Sequence, residues 1–279
     1  MADKKKSIIP TIILSIISII WIYPIVMILF NSLKVESAIT TSGVFQFPTS
    51  ETWNGIQNFI ASVTQMDFLK SFWYSLVISV MSVVLILLCC SMCAWYIVRV
   101  NGLLSKVLYY LCVFSMVVPF QMVMFTLAKT ADTLKLNNPY TICIVYLGFG
   151  AGLAVFMFTG FVKGSPLEIE EAAMIDGCGP FRILTSIIIP MCKPGIVTVC
   201  MISAMAAWNE YPVALVMVTD PTKATLPVGL ANLYEIQRYA TDWGALFAAL
   251  VLALIPTVIL FIVGQKQLVQ GLSVGGVKG

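Results

Sequence analysis

Few side chains in this chain could do chemistry, and most of those lie in apolar surroundings. Among 279 residues, 13 are acidic, 16 are basic and none is His. Glu210, within Trp208-Asn209-Glu210-Tyr211-Pro212, sits deep in an apolar stretch. A charge there costs several kcal/mol unless it faces protein or water. It could line a wet path or make a buried structural bond. Pro212 breaks the backbone ladder, which is tolerable where a cavity is lined or where side chains such as Asn209 satisfy the freed groups. Gln121, after Val118-Pro119-Phe120, is a second polar intrusion. Its amide could bond a hydroxylated solute, although joining a neighbouring helix is the commoner use. Gln121, Asn209 and Glu210 are therefore the candidates for a solute path.

Other chemistries find no support. Cys90 and Cys93 are spaced C-x-x-C, but they stand in an apolar run of a chain without His. They read as small packing residues, not as a metal or redox site. Cys89, Cys112, Cys143 and Cys200 also lie in apolar stretches, and Cys178 and Cys192 in a polar connection, so no disulfide framework is expected. No G-x-x-x-x-G-K-[ST] phosphate loop and no G-x-G-x-x-G occur. No catalytic residue and no metal site are assigned, and the chain is not expected to hydrolyse ATP by itself.

The densest group of acids is Glu168, Glu170, Glu171 and Asp176, between two apolar stretches. The local pattern predicts a helix. Ser165 can cap it, Pro166 suits its first turn, and Glu168, three residues after Ser165, can complete a capping box. Gly177 can take the left-handed conformation that ends helices, and Gly179-Pro180 prevents continuation. That leaves roughly three turns. Ala172 and Ala173 flatten part of the surface, the four acids keep the rest hydrated, and Leu167, Met174 and Ile175 are apolar. Such a helix could lie on its own bundle as a linker, or dock on another protein.

The elements that must position these residues belong to a lipid bilayer. Apolar residues make up 59% of the chain, only 10% are charged, and mean hydropathy is +0.96. Six stretches, near 8–30, 72–98, 107–127, 140–162, 195–218 and 245–263, each approach or exceed the roughly 20 helical residues that cross a hydrocarbon core. With the N-terminus inside, the internal basic residues are Lys4, Lys5, Lys6, Arg99, Lys106, Lys163, Arg182, Lys193, Lys266 and Lys278. The external ones are Lys34, Lys70, Lys129, Lys135, Lys223 and Arg238. The excess inside predicts both termini in the cytoplasm, and places the acidic helix there too. The first stretch is longer than a signal-peptide core of about 7 to 15 residues and ends without a small-residue cleavage site, so it reads as a retained span. The layout is then 1–30, tail and first span; 31–71, an external loop; and 72–279, five further spans with the loop 163–194 and a cytoplasmic tail 264–279. Gly148-Phe149-Gly150-Ala151-Gly152 fits close helix packing.

Glu171-Ala172-Ala173, three residues, Gly177, nine residues, then Ile187-Ile188-Ile189-Pro190 resembles the EAA loop of ABC import permeases. Ile189 stands where that pattern usually has Leu, a volume-conserving departure. The resemblance implies that Glu171, Ala172, Ala173, Gly177, Ile187 and Pro190 form a coupling helix and its support, seated in a cleft of an ATPase subunit. It extends to Trp208-Asn209-Glu210, to Thr225-Leu226-Pro227-Val228-Gly229-Leu230, to Asp242-Trp243-Gly244-Ala245 and to the tail from Gln270-Gly271-Leu272 to Gly275-Gly276-Val277-Lys278-Gly279. Those segments are similar to carbohydrate-uptake permeases of the maltose and multiple-sugar type, specifically to the shorter partner of a heterodimer. What the resemblance implies is an all-α membrane protein of six transmembrane helices with a cytoplasmic coupling helix. It would be a multi-pass permease of a prokaryotic cell membrane, and not an enzyme. Its expected partners are a second permease subunit, two ATP-binding subunits that hold the ATP and Mg, an extracytoplasmic solute-binding protein, a sugar and lipid, with no nucleic acid and no cofactor of its own.

Two other classes compete. An ion-driven carrier would need titratable relays in the spans, and one Glu without His or Asp is poor material for it. A membrane scaffold or regulator of an ATPase would also carry a docking helix, but would need no wet polar residues in the fifth span. Within the importer reading, a polyol or glycerol phosphate is the alternative to a sugar.

Overall fold

The computed structural model describes residues 8–240 and 242–276. Among these residues every regular element is a helix, apart from one isolated antiparallel bridge between Lys34 and Trp53. Lys4, Lys5, Lys6 and the end of the tail, Val277-Lys278-Gly279, fall outside the described residues.

One compact unit comprises the described part of 1–68 together with Gly229–Ile255. It contains α1 (Ile8–Asn31), α2 (Glu36–Thr41) and α3 (Gly55–Gln65). The side chains of α1 are exposed along most of its length, with Ile19, Trp21 and Ile8 at 69%, 76% and 70%. Lipid accepts such a surface and water does not. The chain after α1 is held by amides and one buried ammonium. Lys34 Nζ donates to Asn31 Oδ1 (3.2 Å), Ser42 Oγ (3.4 Å) and the Gly43 carbonyl (3.0 Å), and burial pushes its pKa below the usual lysine value. Asn58 Nδ2 on α3 donates to the carbonyls of Ser32 and Lys34. This segment is therefore folded against the end of α1 by specific bonds together with ring contacts, Tyr23 on Phe45 and Phe30 on Phe47.

The second unit comprises Leu69–Val228 and the described residues from Pro256 onward. In chain order it begins with α4 (Phe68–Arg99), α5 (Leu103–Ser115), α6 (Phe120–Thr133) and α7 (Cys143–Lys163). The short α8 (Leu167–Ile175), α9 (Pro180–Ile183) and α10 (Ile189–Met191) follow, with a π-helical turn, Leu184–Ile188, between the last two. Then come α11 (Lys193–Trp208) and α12 (Pro212–Met217). Two further helices, α13 (Leu226–Ala240) and α14 (Trp243–Gly276), run from one unit's residues into the other's. Side chains of α4, α6, α7 and α12 share a core of Ile78, Ala131, Ile142, Val145, Tyr146, Val213 and Met217. A second core joins α4, α7 and α11 through Ile86, Cys90, Ala94, Val155, Phe158 and Val199. Gly152 lets α5 and α7 approach: a Cβ there would stand 2.6 Å from the Cys112 carbonyl. Gly148 has open space at that position and plays no such part.

Four helices, α1, α4, α7 and α14, are long and apolar enough to cross a membrane. Two expected spans are not continuous. The stretch expected at 107–127 is α5 and α6, bent by 108°. Pro119 stands between them with ψ 139°, because proline lacks the donor a continuing helix needs and its ring crowds the preceding turn. The stretch expected at 195–218 breaks at 209–211, and α11 and α12 follow each other across Asn209-Glu210-Tyr211. A further bend of 84° separates the run Pro180–Met191 from α11. Among the described residues the count is four candidate spans, or up to six if each bent pair crosses once.

Candidate functional site

The loop 163–194 is a small, closely tied structure. Its helix α8 starts one residue later than the capping pattern predicts. Pro166 is extended (φ −60°, ψ 133°) and no side chain caps the first turn. Ser165 Oγ instead turns back to the Phe161 carbonyl at 3.5 Å, so the expected capping box does not form. Glu168 and Glu170 still lie in the first turn, where negative charge suits the helix dipole. The other end matches its expectation. Gly177 has φ +82°, its N–H bonds the Met174 carbonyl (3.0 Å), and the Cys178 N–H bonds the Ala173 carbonyl (2.9 Å). That pair of bonds is a Schellman motif, which satisfies the last carbonyls and turns the chain sharply.

Two faces of α8 differ in kind. Glu171, Ala172, Met174 and Ile175 point outward, Ile175 at 87% exposure, with Leu167 and Ile169 nearby and Phe181 of α9 at 72%. Ala173 does not belong to that flat outer surface. It is 9% exposed and packs inward with Val162, Ile183, Leu184, Ile188 and Cys192. Ile187 lies partly buried against the same cluster, while Pro190 is exposed.

Glu170 is the larger correction. Expected among the hydrated acids, it is 1% exposed and fully engaged. Its Oε2 accepts the Trp95 indole N–H at 2.9 Å, and its Oε1 accepts Arg99 Nε at 2.8 Å and Arg99 Nη2. Arg99 Nη2 also reaches the carbonyls of Ser165 (3.0 Å) and Val162 (3.4 Å). A buried carboxylate is stable only when paired and fully hydrogen-bonded, and this one is. Trp95 and Arg99, four apart near the end of α4, share one helix face. That spacing was the available signal, but nothing local tied it to Glu170, 71 residues on.

The candidates for a solute path lie at the two helix breaks. Glu210 Oε1 accepts the Val213 N–H at 2.9 Å, so the carboxylate closes the first turn of α12. Its residue is only half-buried. Asn209 is exposed and its Nδ2 bonds the Met205 carbonyl at 2.8 Å, finishing α11. Gln121, exposed in the first turn of α6, has no hydrogen-bond partner among the described residues. Its neighbour Phe120 packs on the cluster that contains Val213 and Tyr146, so both breaks border one core. The buried Tyr146 hydroxyl in that core also has no protein partner.

Residues 86–274, about two-thirds of the chain, match the family of binding-protein-dependent transport system inner membrane components. The chain belongs to that family. It is 30% identical, over 96% of its length and 95% of the relative's, to an arabinooligosaccharides transport system permease protein of Halalkalibacterium halodurans. It is 29% identical to the melibiose/raffinose/stachyose import permease protein of Bacillus subtilis (strain 168), over 100% and 99% of the two chains. It is also 29% identical to the sulfoquinovosyl glycerol transport system permease protein of Agrobacterium fabrum, over 95% and 92%. A chain in the crystal structure of a bacterial ABC transporter involved in alginate import shares the fold, with TM-score 0.80 at 23% identity, 95% of this chain and 99% of that one being covered. The family is one of transport permeases and not of enzymes.

Proposed function

We propose that this chain is the transmembrane subunit of an ATP-driven importer that moves a sugar or oligosaccharide by alternating access. The observation that carries the reading is the two-faced helix α8. One face, with Glu171, Ala172 and Ile175, is offered to a partner, and the other is bonded into the transmembrane helices through Glu170. Membership of a transport-system family supports an ATPase as that partner, and the sugars named for the relatives support a carbohydrate cargo. Glu171, Ala172, Gly177, Ile187 and Pro190 serve the coupling loop, and Ala173 supports it from within. Gln121, Asn209 and Glu210 border the path.

The chain works with a second permease subunit, two ATP-binding subunits that hold ATP and Mg, and an extracytoplasmic binding protein. It crosses a prokaryotic cell membrane six times, α5 with α6 and α11 with α12 each counting once, with both termini in the cytoplasm. Closure of the ATPase pair on ATP moves α8 as a rigid lever, and rigid-body motion of the permease pair turns the path from one side to the other. Purification from native membranes should bring down an ATPase subunit and a second permease. The purified complex with its binding protein should hydrolyse ATP faster with one of maltotriose, raffinose or arabinotriose. No co-purifying ATPase would sink the coupling role, and stimulation by none of these sugars but by glycerol phosphate would sink the carbohydrate assignment.

A further inference from the structure

We propose that Arg99, assisted by Trp95, is a positioning residue that bolts the coupling helix to α4 and α7, so that the three move as one piece. The proposal rests on the coupling reading of the 163–194 loop. A helix that docks on a moving subunit transmits displacement only if its inner face cannot slip. In α8 that inner face carries Ala173 and Glu170, whose two oxygens are both occupied, Oε2 by the Trp95 indole at 2.9 Å and Oε1 by Arg99 at 2.8 Å. The same guanidinium holds the carbonyls of Val162, in the last turn of α7, and Ser165, in the turn before α8. One side chain of α4 thus grips α7, the connecting turn and α8 together.

The joint is not a surface ion pair that water could loosen. The Glu170 side chain is 2% exposed and that of Arg99 19%. Parting a buried pair leaves a charge unpaired in a low-dielectric site, so slippage at this joint is costly. Further along the same two helices, Ile78 of α4 and Tyr146 of α7 share a core with Val213, whose N–H is held by Glu210. Displacement of α8 therefore reaches the break beside Glu210 through α4 and α7, without passing through the loops that join the helices.

The test uses the assembled importer in liposomes, in a cysteine-free background carrying Leu215→Cys on α12 as reporter. The readout is the change in its reactivity toward an impermeant maleimide when ATP and vanadate are added. Arg99→Lys keeps a charge but cannot span the carbonyls, Glu170→Gln keeps the shape, and Trp95→Phe removes a single N–H. With assembly and ATP hydrolysis retained, the nucleotide-driven change should shrink by about 2- to 30-fold, the usual span for residues that carry coupling. A full response in any assembled variant of Arg99 or Glu170 would overturn the proposal. If those two variants do not assemble, Trp95→Phe decides: a weakened response supports the joint, and a full one overturns it. Loss of assembly in all three would assign the set to folding alone, and the proposal would fall. An unsubstituted importer that binds its ATPase but shows no response would instead remove the coupling reading, a result separable from the others.

Discussion

Glu170 and Glu171 are adjacent in the chain and opposite in duty, because one residue's step around a helix turns a side chain by about 100°. The inner one is buried against Arg99 and Trp95, and the outer one is free for a partner. Arg99→Ala leaves the Glu170 carboxylate unpaired and should cost the purified chain about 3–5 kcal/mol. Arg99→Ala with Glu170→Ala should cost less than the sum of the two single changes, measurable in a double-mutant thermal-stability cycle. Additive losses would show that the pair is not a unit. At the other end of α8, Gly177 has φ +82°, and Val there would carry a strain of about 1 kcal/mol or more. Because open space surrounds that position, the strain is of the backbone alone. Gly177→Val should insert normally, keep ATP hydrolysis and lose uptake; normal uptake would show that the exit angle of α8 is not needed. Gly177, Gly179 and Pro180 were legible in the sequence because backbone punctuation is a local property. Ser165 misled for the same reason. A hydroxyl before Pro166 reads as a cap, yet the extended proline shifts the helix start and the hydroxyl returns to Phe161. The burial of Glu170 was not legible at all, since its partners are set by how α4 and α7 pack.

At the scale of elements, hydrophobic length gave the existence of the long helices and hid where two expected spans break. Pro119 and Pro212 lie inside apolar runs, and in a membrane helix a proline can kink the span or end it. Which occurs depends on what satisfies the freed backbone groups. At α12 a side chain does so: Glu210 accepts the Val213 N–H at 2.9 Å. Glu210→Gln keeps an acceptor in that place and should leave thermal stability almost unchanged, while altering transport rate or sugar preference through the half-exposed carboxyl. Glu210→Ala leaves the Val213 N–H without its partner and should cost about 1–3 kcal/mol. Equal losses of stability in both variants, with uptake unchanged in whatever protein survives, would make Glu210 a strut only. Gln121 borders the same core from the start of α6, so Gln121→Leu should alter transport with little effect on stability. A loss of assembly instead would place Gln121 at the contact with the second permease.

Over the whole molecule, the argument from charge and the argument from docking must agree, since α8 can meet an ATPase only on the cytoplasmic side. Ten of the 16 basic residues fall inside when both termini are cytoplasmic. That bias is modest, and the polar segments between the spans fit it. The exposed acids Glu168, Glu171 and Asp176 require water, and the turn at Asp220-Pro221-Thr222-Lys223, which joins α12 to α13, closes on its own ion pair at 2.8 Å. Lys135 and Asp132 flank the turn after α6, on the same expected side as Lys223. In a cysteine-free protein, Asn137→Cys or Thr222→Cys should react with an impermeant maleimide applied outside intact cells. Glu168→Cys, in the first turn of α8, should react only after the membrane is opened. Labelling of Glu168→Cys from outside would reverse the orientation, separate α8 from any ATPase and remove the energy source from the proposed importer.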